Sequence, residues 1–197
     1  MFAKILPVTR ALLLTNVGIF LLQLLLGPQL EQWFALWPPG ALFEPWQLLT
    51  YAFLHEGFLH IFLNMFALFM FGTPIESYLG ARRFILFYFV CVLTAGLTQQ
   101  TVAMFQHADS PTLGASGGIF GLLLAFAMYF PRARITLIFP PIPLPAWAFV
   151  SIYGLVELFQ GVSGSEPGVA HFAHLGGMLG AAAMILFWRS KDARRVQ

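Results

Sequence analysis

Long apolar segments recur along the chain, and short polar segments separate them. A helix that crosses a bilayer needs roughly 20 mostly apolar residues. The fourth and fifth apolar segments are short, but their ends are marked by Pro131-Arg132 and by prolines between Pro140 and Pro145. We predict an all-α polytopic membrane protein with six spans, at residues 9–27, 59–79, 84–105, 115–130, 146–162 and 169–188.

The basic residues indicate how these spans are oriented. Membrane proteins keep Lys and Arg mainly in the short loops on the cytoplasmic side. If the N-terminus is cytoplasmic, all 10 basic residues fall on that side: Lys4, Arg10, Arg82, Arg83, Arg132, Arg134, Arg189, Lys191, Arg194 and Arg195. We therefore predict that both the N- and C-termini are cytoplasmic.

The composition agrees with this interpretation. Hydrophobic residues make up 59% of the 197 residues and charged residues 9%, whereas soluble domains carry about 25% charged residues. A net charge of +2 without a basic patch argues against a nucleic-acid partner. The single cysteine, Cys91, excludes an intrachain disulfide. We expect one membrane domain over residues 1–197, embedded in a lipid bilayer.

The segment between the first two spans, residues 28–58, differs from the other loops. It carries Trp33, Trp37 and Trp46 among apolar residues, with acidic but no basic residues. Such a segment is expected either to lie in the membrane interface or to fold against the bundle, and the two are compatible. The first span is longer than a signal-peptide core and no A-x-A-like site follows it, so we expect it to be retained.

Polar residues inside spans are costly and need a reason. In span two, His60 and Asn64 are about 40° apart on a helix, on one face, and both side chains can donate hydrogen bonds to one point. Taken alone, the pair is more often a structural contact between helices.

Span four opens with Gly114-Ala115-Ser116-Gly117-Gly118. This also fits G-x-S-x-G, but that motif needs a preceding strand, and an outer loop stands here instead. Ser116 begins a helix, where unpaired backbone N–H groups and the helix dipole favour an oxyanion. The alternative is a small-residue helix contact along Gly117-x-x-x-Gly121.

Span six opens with two histidines, His171 and His174, followed by glycines that permit close approach to another helix. Span four, with its own glycines, is the natural neighbour, which would bring His174 to Ser116. An interfacial histidine that merely bonds a loop is the alternative, and it fits His171 better.

A serine and a histidine in contact supply a nucleophile and a general base. The expected oxyanion donors are His60, Asn64 and the backbone N–H of Ser116. We expect no acidic residue to orient His174, because Glu157 lies in span five and Glu76 near the inner surface, so the sequence predicts a dyad. Stacking on Phe120 is expected to hold the imidazole instead.

The ordered motifs resemble those of the rhomboid protease family, in its minimal six-span bacterial or archaeal form. They are His55, His60 and Asn64; Glu76 and Gly80; Gly114–Gly117; and Ala173–Gly177. The resemblance implies a rhomboid-like bundle, a Ser116–His174 dyad and an oxyanion hole of His60, Asn64 and Ser116.

The same resemblance implies an endopeptidase of single-span membrane proteins, in a prokaryotic inner or plasma membrane, with its site open to the external side and no cofactor. A substrate gate is expected at span five. By position, the gate and substrate-binding residues would be Gly114, Ala115, Leu155 and Phe159. The chain has Gln47 where many members have Arg, and Phe120 where many have Tyr.

Three other functions fit parts of the sequence less well. A zinc site on His55 and His60 is disfavoured because, on a helix, residues five apart are about 140° apart. A non-catalytic relative that binds transmembrane clients would be expected to lack Ser116 or His174. A transporter would be expected to carry polar groups at mid-bilayer depth. No metal is expected.

Overall fold

The computed structural model describes residues 5–106, 109–137, 141–166 and 168–194, with side chains to Asp192 at the C-terminal end. Lys4, Pro140 and Arg195, which entered the sequence-based predictions, lie outside these ranges, as does the side chain of Arg194. The elements are α1 (Pro7–Leu26), α2 (Pro28–Phe34), α3 (Gln47–Thr50), a 3₁₀ turn (Tyr51–Phe53), α4 (Phe58–Leu79), α5 (Ala81–Gln106), α6 (Ser116–Tyr129), β1 (Arg134–Thr136), β2 (Pro143–Pro145), α7 (Ala146–Ser163) and α8 (His171–Arg194).

Each predicted span corresponds to one helix: α1, α4, α5, α6, α7 or α8. Five of these helices are long and apolar enough to cross a membrane, whereas α6 has 14 residues. At 1.5 Å per residue, α6 is about 21 Å long, against a hydrocarbon thickness of about 30 Å. The predicted all-α membrane bundle is confirmed, and the chain is an integral membrane protein.

The short helix α6 occupies the centre of the bundle, between α4, α5, α7 and α8. Its small residues make this possible. A Cβ atom on Gly177 of α8 would overlap the carbonyl oxygen of Gly117 of α6, and one on Gly118 would lie 2.7 Å from Tyr88 of α5. Glycine is therefore required for helices to approach α6 this closely.

A buried carboxylate joins α1 to α4 at the end of the bundle opposite Ser116. Glu76 accepts hydrogen bonds from the backbone N–H groups of Val8 and Thr9, at 3.0 and 2.7 Å, and from the Thr9 hydroxyl at 2.7 Å. The N–H groups at a helix N-terminus lack intrahelical partners and carry positive partial charge, so an anion there is stabilising. Glu76 thus fixes the start of α1 against α4.

The segment 28–58 is folded against the bundle around the side chain of Gln47. The Gln47 amide oxygen accepts from the backbone N–H groups of Trp37 (3.3 Å) and Glu44 (3.2 Å), and its amide nitrogen donates to the carbonyl of Leu42 (3.0 Å). Trp33 and Trp46 remain exposed. A folded segment that leaves tryptophans exposed is compatible with both expectations for residues 28–58, namely folding against the bundle and contact with the membrane interface.

A small hairpin joins α6 to α7 and departs from a purely helical expectation. Strands β1 and β2 pair antiparallel, with Ile135 opposite Leu144. The strands have three residues each. Prolines around and within β2 prevent helix continuation there, because they lack the N–H group that a helix interior needs.

Candidate active site

A cavity of about 350 Å³ opens among α4, α6, α7 and α8. Its wall combines polar and aromatic side chains with apolar ones. Among the sequence-predicted site residues, His60, Asn64, Ser116 and His174 all line it, together with Phe120 and Tyr153.

Ser116 and His174 are in direct contact within this cavity. Ser116 is the first residue of α6, and its Oγ lies 2.8 Å from Nε2 of His174 on α8. The close α6–α8 packing at Gly117 and Gly177, one residue beyond the serine and three beyond the histidine, brings the two side chains together. A hydroxyl at hydrogen-bond distance from an imidazole nitrogen is the arrangement of a nucleophile and its base.

The imidazole of His174 is held on one face by an aromatic ring. Phe120 lies one turn after Ser116 on α6, and its ring stacks on that of His174 with centroids 4.2 Å apart and planes within 6°. Tyr153 of α7 packs against Phe120, with ring centroids 5.0 Å apart. The expected stacking is therefore present with phenylalanine, although this ring donates no hydrogen bond.

The structure corrects the prediction that no acidic residue orients His174. Nδ1 of His174 lies 2.8 Å from Oε2 of Glu157, and Nδ1 of His171 lies 2.8 Å from the same oxygen. All three residues are buried. The prediction was wrong because it excluded Glu157 on the ground that this residue belongs to another span. It did not consider which face of that span Glu157 occupies, and in the structure Glu157 lies on the face of α7 that packs against α8.

A signal for this contact was present in the sequence. Glu157 is the only charged residue between residues 146 and 162, and a carboxylate inside a span usually has a partner. His171 and His174 are three residues apart, so they share one helix face.

On the α4 side of the cavity, the expected oxyanion donors are next to each other. The Asn64 amide nitrogen donates to the backbone carbonyl of His60 at 2.9 Å, which leaves its second hydrogen for another acceptor. A Cβ atom on Gly114 would lie 2.9 Å from the His60 ring, and Gly114 has φ +129°. Glycine is thus needed before α6 both for the backbone conformation and for space beside His60.

The expected gate and binding residues occupy different environments. Ala115 is buried, as is Gly114. Leu155 and Phe159 are 67% and 70% exposed, on the surface of α7. None of the four is among the residues that line the cavity. Their role in substrate entry stays a prediction.

His55 and His60 are closer than the helical argument assumed. His55 lies in the loop before α4 and not on the helix, and its ring contacts that of His60 with centroids 5.1 Å apart. The 140° separation expected for the pair was therefore wrong. Burial, and then the proximity of His60, lower the pKa of His55 to about 4.

Among the residues that the structure describes, the buried cluster of Glu157, His171 and His174 could offer ligands to a metal ion. The ligand atoms of Glu157, His171 and His174 lie within 4.8 Å of one another. The ring nitrogens that face the carboxylate are already used in its hydrogen bonds. The donors present are sufficient to explain this cluster without an ion.

Comparison with known protein families agrees with this architecture and covers most of the chain. Residues 42–191 match the family model of the rhomboid domain. The chain belongs to the rhomboid family. The match includes every cavity-lining residue discussed above, and the family prediction made from the motifs is confirmed.

This rhomboid is similar to proteins from a mitochondrion and from bacteria. It is 34% identical over 137 residues to rhomboid protein 1, mitochondrial, of Saccharomyces cerevisiae (65% of this chain, 37% of the relative). It is 32% identical over 137 residues to rhomboid protease GluP of Bacillus subtilis (70% and 25%). It is 28% identical over 122 residues to rhomboid protease GlpG of Klebsiella pneumoniae (61% and 42%). The chain spans less than half the length of each of these relatives.

Proposed function

We propose that this rhomboid is an intramembrane serine endopeptidase that cleaves single-span membrane proteins within or next to the bilayer. The observation that carries the proposal is the 2.8 Å contact between Ser116 Oγ and His174 Nε2 in a cavity of a membrane bundle. The names of two relatives, both rhomboid proteases, support the reaction class.

In the first chemical step, Ser116 Oγ attacks the carbonyl carbon of the scissile peptide bond while Nε2 of His174 accepts the hydroxyl proton. The tetrahedral intermediate carries negative charge on the former carbonyl oxygen. His174 then gives its proton to the leaving amine, which leaves an acyl group on Ser116. Water hydrolyses that ester with His174 again as the base.

In this proposal, donors on both sides of the cavity stabilise the oxyanion. The backbone N–H of Ser116 lies in the first turn of α6, where amide groups have no intrahelical acceptor. The second amide hydrogen of Asn64 and the ring of His60 lie across the cavity. Loss of a single such donor costs about 10²–10³ in kcat in known hydrolases, so Asn64→Ala is expected to slow cleavage without unfolding the protein.

The position of the basic residues supports an opening on the external side. The described cationic contacts, between Arg83 and Asp192 and between Arg189 and the Met128 carbonyl, lie at the end of the bundle where α6 finishes. Ser116 begins α6 at the opposite end. Under the positive-inside rule the catalytic end would then face outwards. A prokaryotic inner or plasma membrane is part of this proposal.

The test uses purified protein in detergent and a fluorophosphonate probe, which reacts with activated serines. Wild type is expected to be labelled and to cleave a dye-labelled single-span model polypeptide. Ser116→Ala and His174→Ala are expected to lose both labelling and cleavage while keeping the wild-type unfolding temperature. If Ser116→Ala is labelled and cleaves as wild type does, this serine is not the nucleophile; a wild type that binds the polypeptide without cutting it would favour a client-binding role.

A further inference from the structure

One buried carboxylate contacts both histidines at the start of α8. Oε2 of Glu157 lies 2.8 Å from Nδ1 of His174 and 2.8 Å from Nδ1 of His171. The side chain of Glu157 is 4% exposed and those of the histidines 5% and 11%. The contact joins α7 to α8 directly behind the serine–histidine pair.

The acceptor decides which nitrogen of His174 carries the proton. An ionised carboxylate only accepts hydrogen bonds, so with Glu157 ionised Nδ1 of His174 is the N–H donor in this contact. In the neutral ring Nε2 then holds the lone pair, and Nε2 is the atom that faces Ser116 Oγ. This is the tautomer that can accept the serine proton.

His171 gives the buried carboxylate of Glu157 a second hydrogen-bond partner. A buried charge with a single partner is costly, and additional hydrogen bonds to the same group reduce the cost. The second N–H donor, from His171, comes from the same face of α8 because the two histidines are three residues apart. His171 does not line the cavity that holds Ser116, so it can act on the serine only indirectly, through Glu157 and through the edge-to-face contact of its ring with that of His174.

We propose that Glu157 is a positioning residue that completes a Ser116–His174–Glu157 triad, with His171 as the second donor that keeps its carboxylate charged and in place. Glu157 fixes the tautomer and orientation of His174 and stabilises the imidazolium formed when Ser116 attacks. The proposal rests on the proposed protease function. A triad of this kind also makes the reaction depend on how α7 packs against α8, because the carboxylate and the base belong to different helices.

The decisive variant is Glu157→Gln, which keeps the side-chain size and removes the charge. We expect kcat for the model polypeptide to fall at least about tenfold with KM changed by less than about twofold, the pattern of a contact that matters in the transition state. Glu157→Asp, which keeps the carboxylate, is expected to recover part of the loss. Glu166→Gln removes a carboxylate from the exposed loop after α7 and is expected to match wild type.

A second measurement observes the tautomer of His174 directly and does not require catalytic activity. NMR of wild-type protein with isotope-labelled histidine rings reports which ring nitrogen carries hydrogen, with His174→Ala used for assignment. We expect His174 to carry its hydrogen on Nδ1 in wild type and to populate both tautomers in Glu157→Gln.

The outcomes separate this proposal from the one on which it rests. A wild type that neither reacts with the fluorophosphonate nor cleaves the polypeptide overturns the protease function. An active wild type whose His174 carries hydrogen on Nε2, or whose Glu157→Gln variant keeps its kcat within about twofold, overturns the triad alone. A Glu157→Gln variant that loses stability but retains kcat assigns Glu157 a purely structural role.

Discussion

Because α6 and α8 are in close contact, one methyl group added between them is expected to have a large effect on stability and catalysis. In Gly177→Ala, the new Cβ atom would lie 2.8 Å from the carbonyl carbon of Gly117 and would overlap its oxygen. Both atoms belong to backbone, so no side chain can turn away. To restore an ordinary contact of about 3.4 Å, the helices must separate by at least ~0.6 Å.

That separation acts on stability and on catalysis together. Overpacking of this kind costs about 1–3 kcal/mol, which corresponds to a decrease in unfolding temperature of roughly 2–12 °C for a chain of this size. The Ser116 Oγ–His174 Nε2 distance of 2.8 Å would increase beyond the usual range for a hydrogen bond, about 2.7–3.2 Å. Displacements of about 1 Å can reduce enzyme rates about 10²-fold.

The assay compares the fluorophosphonate labelling rate and the thermal unfolding temperature in detergent. Gly18→Ala in α1 is the matched control, because nothing lies within 4 Å of its added Cβ atom. We expect Gly177→Ala to label at least about tenfold more slowly than wild type and Gly18→Ala to label normally. A Gly177→Ala protein with wild-type labelling and stability would refute the argument that backbone contact between these helices sets the site geometry.

Three further predictions concern other parts of the structure. Gln47→Ala removes a buried amide that uses both its oxygen and its nitrogen, so thermal unfolding is expected to show a loss of about 1–3 kcal/mol; an unchanged unfolding temperature would show that the loop does not depend on it. The folded-state pKa of His55 is about 4 and its unfolded value about 6.5, so the unfolded state binds more protons between these pH values. Stability is expected to be complete above pH ~6.5 and to fall by up to about 3 kcal/mol as pH decreases to ~4. His55→Phe should flatten this dependence, and an equally steep curve in that variant would assign it to other groups. Cleavage is expected to persist after treatment with a metal chelator, because a serine and a histidine supply nucleophile and base; chelator-sensitive activity restored by zinc would contradict that mechanism.

The parts of this fold that could be predicted from sequence are those that depend on the residues of a single helix. Apolar segment lengths predict where α1, α4, α5, α7 and α8 lie, and the glycines around Ser116 and after His174 indicate which helices pack most closely. These features follow from local residue size and hydropathy.

What could not be predicted depends on rotation of one helix against another. The position of Glu157 within α7 is clear from the sequence, but the face that α7 turns towards α8 depends on all its neighbours. His55 shows a second limit: spacing arguments assume a continuous helix, and α4 begins only at Phe58. The hydrogen bond from Asn64 to the backbone carbonyl of His60 was likewise not deducible from the H-x-x-x-N spacing. That spacing fits equally well an Asn64 side chain that donates into the cavity and one that donates to its own helix.

The use of Gln47 at the centre of the segment 28–58 has a consequence for the conditions the protein tolerates. An amide carries no net charge, so the bonds that organise residues 28–58 around it are not screened by dissolved ions as an exposed ion pair would be. The amide also does not titrate. The loop that covers this end of the bundle is therefore built to keep its shape across changes in the ionic strength of the surrounding solution.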